Sequence, residues 1–338
     1  MQLAFGIIPD NHPKLSSWKL VQDEMYPIKD LYADDSVTDV FVDRFDRISI
    51  MRNGQLMQVE NRFESEQTLW SFINQLAMTL DQNRFDINSP ILDARLPDGS
   101  RVNAVHETVS PQGSAIALRK APVEIRTAQQ YLDSGMFTQE MLDYMINMIE
   151  ENKTFGISGN MGSGKTSLLR FLSDYVDVRT RLITAEDTQE LHINTRFPFG
   201  IALEAPQRKG SDITLPILIQ STMRQQPDRV WVGELRTAAA VDALLQITYS
   251  GVRGCAFTFH GKSVKHGLSR LQYLLASAGK VSYELTGVLL RDSVDVIIQT
   301  HRDPQWGRVI TEIGELIDGE VHLMFKFNTK TGKHEKLF

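Results

Sequence analysis

The sequence predicts two domains, a smaller α+β unit followed by an α/β unit on a parallel sheet, and three observations lead there. A chain of 338 residues exceeds a typical single domain and suffices for two cores. From about residue 139 onward, short apolar runs suited to buried strands alternate with helical or loop segments, the pattern of a parallel sheet covered on both faces. Finally, Gly159-Asn160-Met161-Gly162-Ser163-Gly164-Lys165-Thr166 fits G-x-x-x-x-G-K-[ST] without a mismatch, a phosphate-binding loop. Its flanks agree: Thr154 to Ser158 reads as an entering buried strand, and Ser167 to Leu172 carries its apolar residues at helical spacing.

In chain order, residues 1–30 hold Pro9, Pro13 and Pro27 and read as a lead-in with a short helix from Trp18 to Met25. Val37 to Val42 and Ile48 to Met51 are strand-like, with Asn53-Gly54 as a hairpin turn. A helix is predicted from Glu66 to Arg84, because Leu69, Phe72, Ile73, Leu76 and Leu80 share one stripe. The Pro97-Asp98-Gly99 turn leads into a strand, and Ser114 to Lys120 makes a partner for it. Proline and mixed polarity then interrupt the pattern. The predicted organisation is an N-terminal domain over 1–120, a linker over 121–130 and a second domain over 131–338.

In the second domain Gln139 to Asn152 reads as a helix. After the phosphate-loop strand, further buried strands are predicted at Arg181 to Ala185, Arg229 to Gly233 and Cys255 to Phe259. Helical sequence near Glu284 to Leu290 precedes strands at Val294–Gln299, Val309–Leu316 and Val321–Phe327, with Asp318-Gly319 as a hairpin turn.

Composition excludes several classes of protein. The net charge of −6 is made of 13 basic and 18 acidic side chains in residues 1–128 and of 23 and 24 in 129–338, so neither half is a basic nucleic-acid platform. A single cysteine, Cys255, rules out an intrachain disulfide and a multi-cysteine zinc site. It reads as a small buried hydrophobe, and Phe197-Pro198-Phe199 as loop packing. No apolar run approaches the ~18 residues of a membrane span, and the first residues lack the charged region of a signal peptide, so the expectation is a cytoplasmic protein that meets membranes through partners.

The chemistry follows from the loop. Its glycines let consecutive backbone N–H groups turn toward phosphate oxygens, Lys165 reaches the β- and γ-phosphates, and Thr166 offers its hydroxyl to Mg²⁺. Hydrolysis needs a carboxylate at the end of a neighbouring strand, and two qualify: Glu234 after Val230-Trp231-Val232-Gly233, and Glu186 after Ala185. The alternative for each is an acid that only caps the next helix. His260 closes another strand end at the same sheet edge. Arg101 and Arg119 stand far upstream, where surface or salt-bridge arginines are the ordinary reading.

Together these residues resemble the hexameric secretion and pilus motor ATPases that serve type II secretion, type IV secretion, conjugation and type IV pili. Four boxes carry the resemblance, in order: the phosphate loop (Walker A) at 159–166, the acidic box Ala185-Glu186-Asp187-Thr188-Gln189-Glu190, the segment Arg224 to Arg236 that holds Glu234, and Gly251 to His260. Arg95-Leu96-Pro97-Asp98-Gly99-Ser100-Arg101-Val102 and Ala117-Leu118-Arg119-Lys120 look most like the conjugation and tight-adherence-pilus branch. The resemblance implies a PAS-like N-terminal domain and a RecA-like ATPase domain, six copies in a ring, and nucleotide between the domains. It further implies that Arg101 and Arg119 reach the nucleotide phosphates, and it sets Arg236 among the nucleotide-binding residues.

The function so expected is an ATP- and Mg²⁺-dependent motor for secretion, conjugation or pilus assembly or retraction. It would sit at the cytoplasmic face of the inner membrane against platform or channel proteins, with no direct nucleic-acid binding. Glu186 and Glu234 share the metal and water duties, with the base left open between them. A RecA-like DNA motor and an ATP-gated platform without turnover are the alternatives. Ala185, where many members have isoleucine, and Gly261-Lys262, where the usual box continues Ala-Asn, depart from the pattern, and the tetracysteine motif of the secretion and pilus-extension branch is absent.

Overall fold

Strands whose residues alternate in burial organise the first of the two units into which the chain divides, Met1–Glu124; the second comprises Ile125–Pro206 and Gly210–Phe338. The computed structural model describes residues 2–3, 6–7, 12–52, 54–80, 82, 84–120, 126–193, 196–206, 212–279 and 281–338.

In the first unit β1 (Gln2–Leu3) and β2 (Gly6–Ile7) pair antiparallel, followed by helices α1 (Leu15–Glu24) and α2 (Lys29–Ala33). Strands β3 (Val37–Arg44), β4 (Arg47–Arg52) and β5 (Gln55–Val59), helix α3 (Glu66–Thr79), and strands β6 (Ile91–Arg95), β7 (Arg101–Val105) and β8 (Ala115–Arg119) complete it. The strands form an antiparallel sheet ordered β5-β4-β3-β8-β7-β6. Val40, Val42, Ile48, Ile50, Val102, Ala104, Ile116 and Leu118 point to one face, where Leu69, Phe72, Ile73 and Leu76 of α3 meet them in a single core.

Helix α3 starts at a capping box, in which Ser65 and Thr68 exchange side-chain and backbone hydrogen bonds. It ends at Thr79 rather than at the predicted Arg84. There Asn74 Oδ1 accepts the N–H of Phe85 and Trp70 Nε1 donates to its carbonyl, turning the chain back so that Phe85 enters the core. The Asp98-Gly99 turn joins β6, which the sequence reading passed over, to β7. Asn53 of the predicted first hairpin turn lies outside the described residues. So do 121–125 of the predicted linker, whose last residues, from Ala128, enter helix α4 (Ala128–Asp133).

The second unit continues with α5 (Gln139–Glu150), β9 (Phe155–Gly159), α6 (Lys165–Leu172), β10 (Leu182–Glu186), β11 (Ile201–Glu204), α7 (Leu215–Thr222), β12 (Arg229–Val232) and α8 (Ala238–Tyr249). Then come β13 (Ala256–Phe259), α9 (Val264–Ala276), α10 (Tyr283–Ser293), β14 (Val296–Asp303), β15 (Gly307–Ile317), β16 (Glu320–Asn328) and β17 (Lys333–Lys336). Among the described residues these strands form one sheet, ordered β11-β10-β12-β13-β9-β14-β15-β16-β17. It is parallel from β11 to β14 and antiparallel from there on.

The period of two divides its side chains between two layers. Phe155, Ile157, Trp231, Val296 and Ile298 pack with residues of α5 and α6, such as Met145, Leu168 and Leu172. Val230, Val232, Phe257, Phe259 and Ile297 pack with residues of α7 to α10, such as Ile219, Leu244, Leu271 and Leu290. Apolar side chains on both faces are what made these strands legible as short continuous runs. Of the Phe197-Pro198-Phe199 run, expected to serve as loop packing, Phe197 is buried and Phe199 exposed.

Candidate active site

The parallel strands end along one edge, and there the predicted phosphate loop is the turn between Gly159, the last residue of β9, and Lys165, the first of α6. Two features make the turn possible only with glycine. Gly162 and Gly164 have φ of 72° and 92°, in the left-handed region. At Gly159 a Cβ would lie 2.3 Å from Thr300 Oγ1 and 2.5 Å from Ser163 Oγ. The first N–H groups of α6 have no intrahelical acceptors and hold the positive end of its dipole, so the turn fits a phosphate.

Within the turn, Ser163 Oγ donates to Asn160 O (2.7 Å) and meets Thr300 Oγ1 at 2.8 Å, while Thr300 donates to Ser158 O at 3.0 Å. Met161 is 87% exposed, and Thr166 is half-buried in the first turn of α6. Lys165 is buried, with Nζ 3.2 Å from Gly159 O and 3.3 Å from Asn160 O. Burial holds its ammonium below the usual lysine range; Glu234 and Glu190 oppose that and Arg236 adds to it.

Glu234 follows β12 and His260 follows β13, so both stand at the same edge. Glu234 Oε2 accepts from Arg236 Nη2 at 2.7 Å, and Oε1 lies 2.9 Å from His260 Nε2. The other ring nitrogen, Nδ1, lies 3.0 Å from Gly159 O and 3.5 Å from Lys165 Nζ. His260 therefore joins the candidate carboxylate to the root of the phosphate loop. Burial pushes the Glu234 carboxyl up, but the Arg236 hydrogen bond and charge, with His260 and Lys165, outweigh it and hold it below the usual carboxylate range.

Glu186 is placed differently. It ends β10, is 1% exposed, and its Oε2 accepts the N–H groups of Glu190 (2.8 Å) and Leu191 (3.1 Å). A Cβ on Gly233 would stand 3.0 Å from Glu186 Cγ, so the glycine before Glu234 makes room for it. In these contacts Glu186 anchors the turn after β10. Asp187 beside it is pushed up by burial, against Arg236 and with Glu234 adding.

Arg101 and Arg119 belong to the first unit, where β7 and β8 set them directly opposite each other in register. Both are exposed, and Arg119 Nε lies 3.9 Å from Asp39 Oδ1. The sequence reading placed the two arginines 18 residues apart; the sheet makes them neighbours.

Sequence reasoning missed Thr300 and Gln299. Thr300 staples Ser163, and Gln299 Nε2 donates to Gly261 O at 3.2 Å, next to His260. A signal was available: Gln299-Thr300 is a polar pair at the end of the apolar run Val296-Ile297-Ile298, and both residues are buried.

The family model described as type II/IV secretion system protein matches residues 21–315. The type IV secretion system protein VirB11 of Brucella suis biovar 1 is 28% identical over 272 residues, covering 70% of this chain and 74% of its own. A Mycobacterium tuberculosis protein named for conjugal transfer is 26% identical over 302 residues, covering 87% of this chain and 84% of its own. Among solved structures, the Legionella pneumophila ATPase DotB superposes with a TM-score of 0.62 at 17% identity, over 92% of this chain and 84% of that one. The pilus retraction motor PilT with bound ADP gives 0.61 at 15% identity, over 87% and 80%. These two likenesses are of fold, a mixed α/β architecture.

Proposed function

The chain belongs to the type II/IV secretion system protein family, and from that premise we propose that it is an ATP-hydrolysing motor of type IV secretion, conjugation or pilus assembly or retraction. The observation that carries this reading is the convergence on the end of β9 of a phosphate loop, a buried lysine and a strand-end carboxylate linked by His260. A site that only bound nucleotide would not need the last of these.

In this reading the loop amides and Lys165 hold the phosphates, and Thr166 with Glu234 and Glu186 would supply oxygen ligands to Mg²⁺ or accept hydrogen bonds from its bound waters. When bound with the nucleotide, Mg²⁺ neutralises charge on the transferred phosphoryl group. Glu234 orients the attacking water, since it is the carboxylate tied to His260 and acting on Lys165. Arg236 keeps it ionised. Glu186 holds the turn that carries Asp187 and Glu190. Positioning and charge neutralisation supply most of the rate in such chemistry.

Arg101 and Arg119, adjacent on the N-terminal sheet, recognise the γ-phosphate and couple ATP to closure of the domains; guanidinium suits this because it donates two parallel hydrogen bonds. The N-terminal domain over 1–120 is PAS-like, the domain over 131–338 RecA-like, and six copies form the working ring. Among the described residues no helix is long and apolar enough to cross a membrane. The motor is peripheral at the inner membrane, held by platform or channel proteins.

The test is phosphate release from Mg-ATP by the purified chain and by Lys165→Ala. Turnover in the wild type that is lost in the variant, with an unchanged melting temperature, supports the reading; equal turnover in both refutes it.

A further inference from the structure

Two arginines approach the phosphate loop from the side opposite Glu234. In the sheet, β13 and β14 flank β9 on its two sides. His260 and Glu234 come from the β13 side, whereas Arg302 and Arg308 come from β14 and β15, where they are partners in register. Arg308 Nε donates to Gly162 O at 3.0 Å, and its Cδ would stand 3.3 Å from a Cβ on Gly164. Arg302 Nη1 would stand 4.0 Å from a Cβ on Gly162. Both side chains are exposed. The N-terminal end of α6 and Lys165 place further positive charge beside them.

The position of the two arginines beside the loop says which phosphates of a nucleotide they would meet. For water to attack beside Glu234, the terminal phosphate must face the β13 side. The rest of the chain of phosphates then crosses the loop toward β14 and β15. Tyr131 lies on the same flank, its hydroxyl donating to Ser167 O at 3.3 Å in the first turn of α6.

We propose that Arg302 and Arg308 bind the phosphates nearest the nucleoside, so that the hairpin of β14 and β15 sets nucleotide affinity rather than turnover. The proposal rests on the nucleotide reading of the site above. It differs from the roles of Lys165, Arg101 and Arg119 in that contacts to the α- and β-phosphates are made equally to ADP and ATP. Binding that is the same in ground and transition states appears in KM and not in kcat.

The experiment measures Kd for Mg-ADP by calorimetry, and KM and kcat for Mg-ATP, in the full chain and in Arg302→Ala, Arg308→Ala and Arg308→Lys. Each alanine variant is expected to raise Kd for ADP and KM for ATP by about tenfold, the scale of one charge-assisted hydrogen bond, with kcat little changed. Arg308→Lys should recover part of the loss, because charge is kept and the fork is not. Arg308 also holds the carbonyl of Gly162, so Arg302→Ala separates ligand contact from support of the loop. Unchanged ADP affinity in Arg302→Ala, or a loss confined to ATP or to kcat, overturns the proposal. A wild-type chain that binds neither nucleotide overturns the nucleotide reading itself, a distinguishable result.

Discussion

Replacing Glu234 with glutamine keeps its size and its acceptor toward Arg236 but deletes the charge, and the structure separates the consequences. Loss of a catalytic carboxylate is expected to lower kcat by about 10²-fold or more, about 2.7 kcal/mol in the barrier. Stability should barely move. Arg236 is 63% exposed and Glu234 20%, so solvent screens their pair and its loss costs about 0–1 kcal/mol, a melting shift of about 4 °C at most. Nucleotide affinity should hold or tighten, because a negative charge leaves the neighbourhood of Lys165.

Glu186→Gln adds a cost in stability that Glu234→Gln does not. Its carboxylate accepts two backbone N–H groups in full burial, and exchanging charged for neutral acceptors there costs about 1–3 kcal/mol, or about 3–10 °C. Phosphate release, fluorescent ADP binding and thermal melts on both variants make the comparison. The pH dependence has a definite sign: the Glu234 carboxyl is held below its ordinary value, so its contribution is present above the unfolded pKa and fades as pH falls through the folded one. The melting difference between wild type and Glu234→Gln should therefore shrink below about pH 4. Turnover of Glu234→Gln within threefold of wild type would refute the assignment. If Glu186→Gln loses turnover at wild-type stability, the two roles are exchanged.

Gly164→Ala should cost about 1–2 kcal/mol of stability, because alanine at a φ of 92° is strained, and should abolish binding of a fluorescent ADP analogue; normal binding would mean the turn is not the phosphate cradle. Arg101→Ala and Arg119→Ala should each slow hydrolysis strongly while ADP affinity, which involves no γ-phosphate, changes much less, and a distance label across 121–130 should lose its ATP-induced change. Equal weakening toward ADP and ATP would place these arginines elsewhere. Cys255, wholly buried with its thiol pushed up to about 12, should resist a disulfide reagent at pH 8 until the protein unfolds; rapid labelling of the native chain would contradict that burial.

What the sequence by itself determined is whatever depends on neighbours along the chain. The turn from Gly159 to Lys165 was legible because its glycines act through local backbone geometry, and the buried strands because both of their faces are apolar. The capping box at Ser65 was readable in principle, but the end of α3 was not, since Asn74 and Trp70 turn the chain by contacts with Phe85 that no period encodes. Only the tertiary structure brought Glu234 and Gly159 to the two nitrogens of His260, and it separated two carboxylates that looked equivalent by immersing Glu186 in backbone amides. It alone set Arg101 opposite Arg119, Arg302 opposite Arg308 and Thr300 against Ser163. These pairings depend on strand order and register, which many sequences share a pattern for and which are decided by how whole strands bury their faces together.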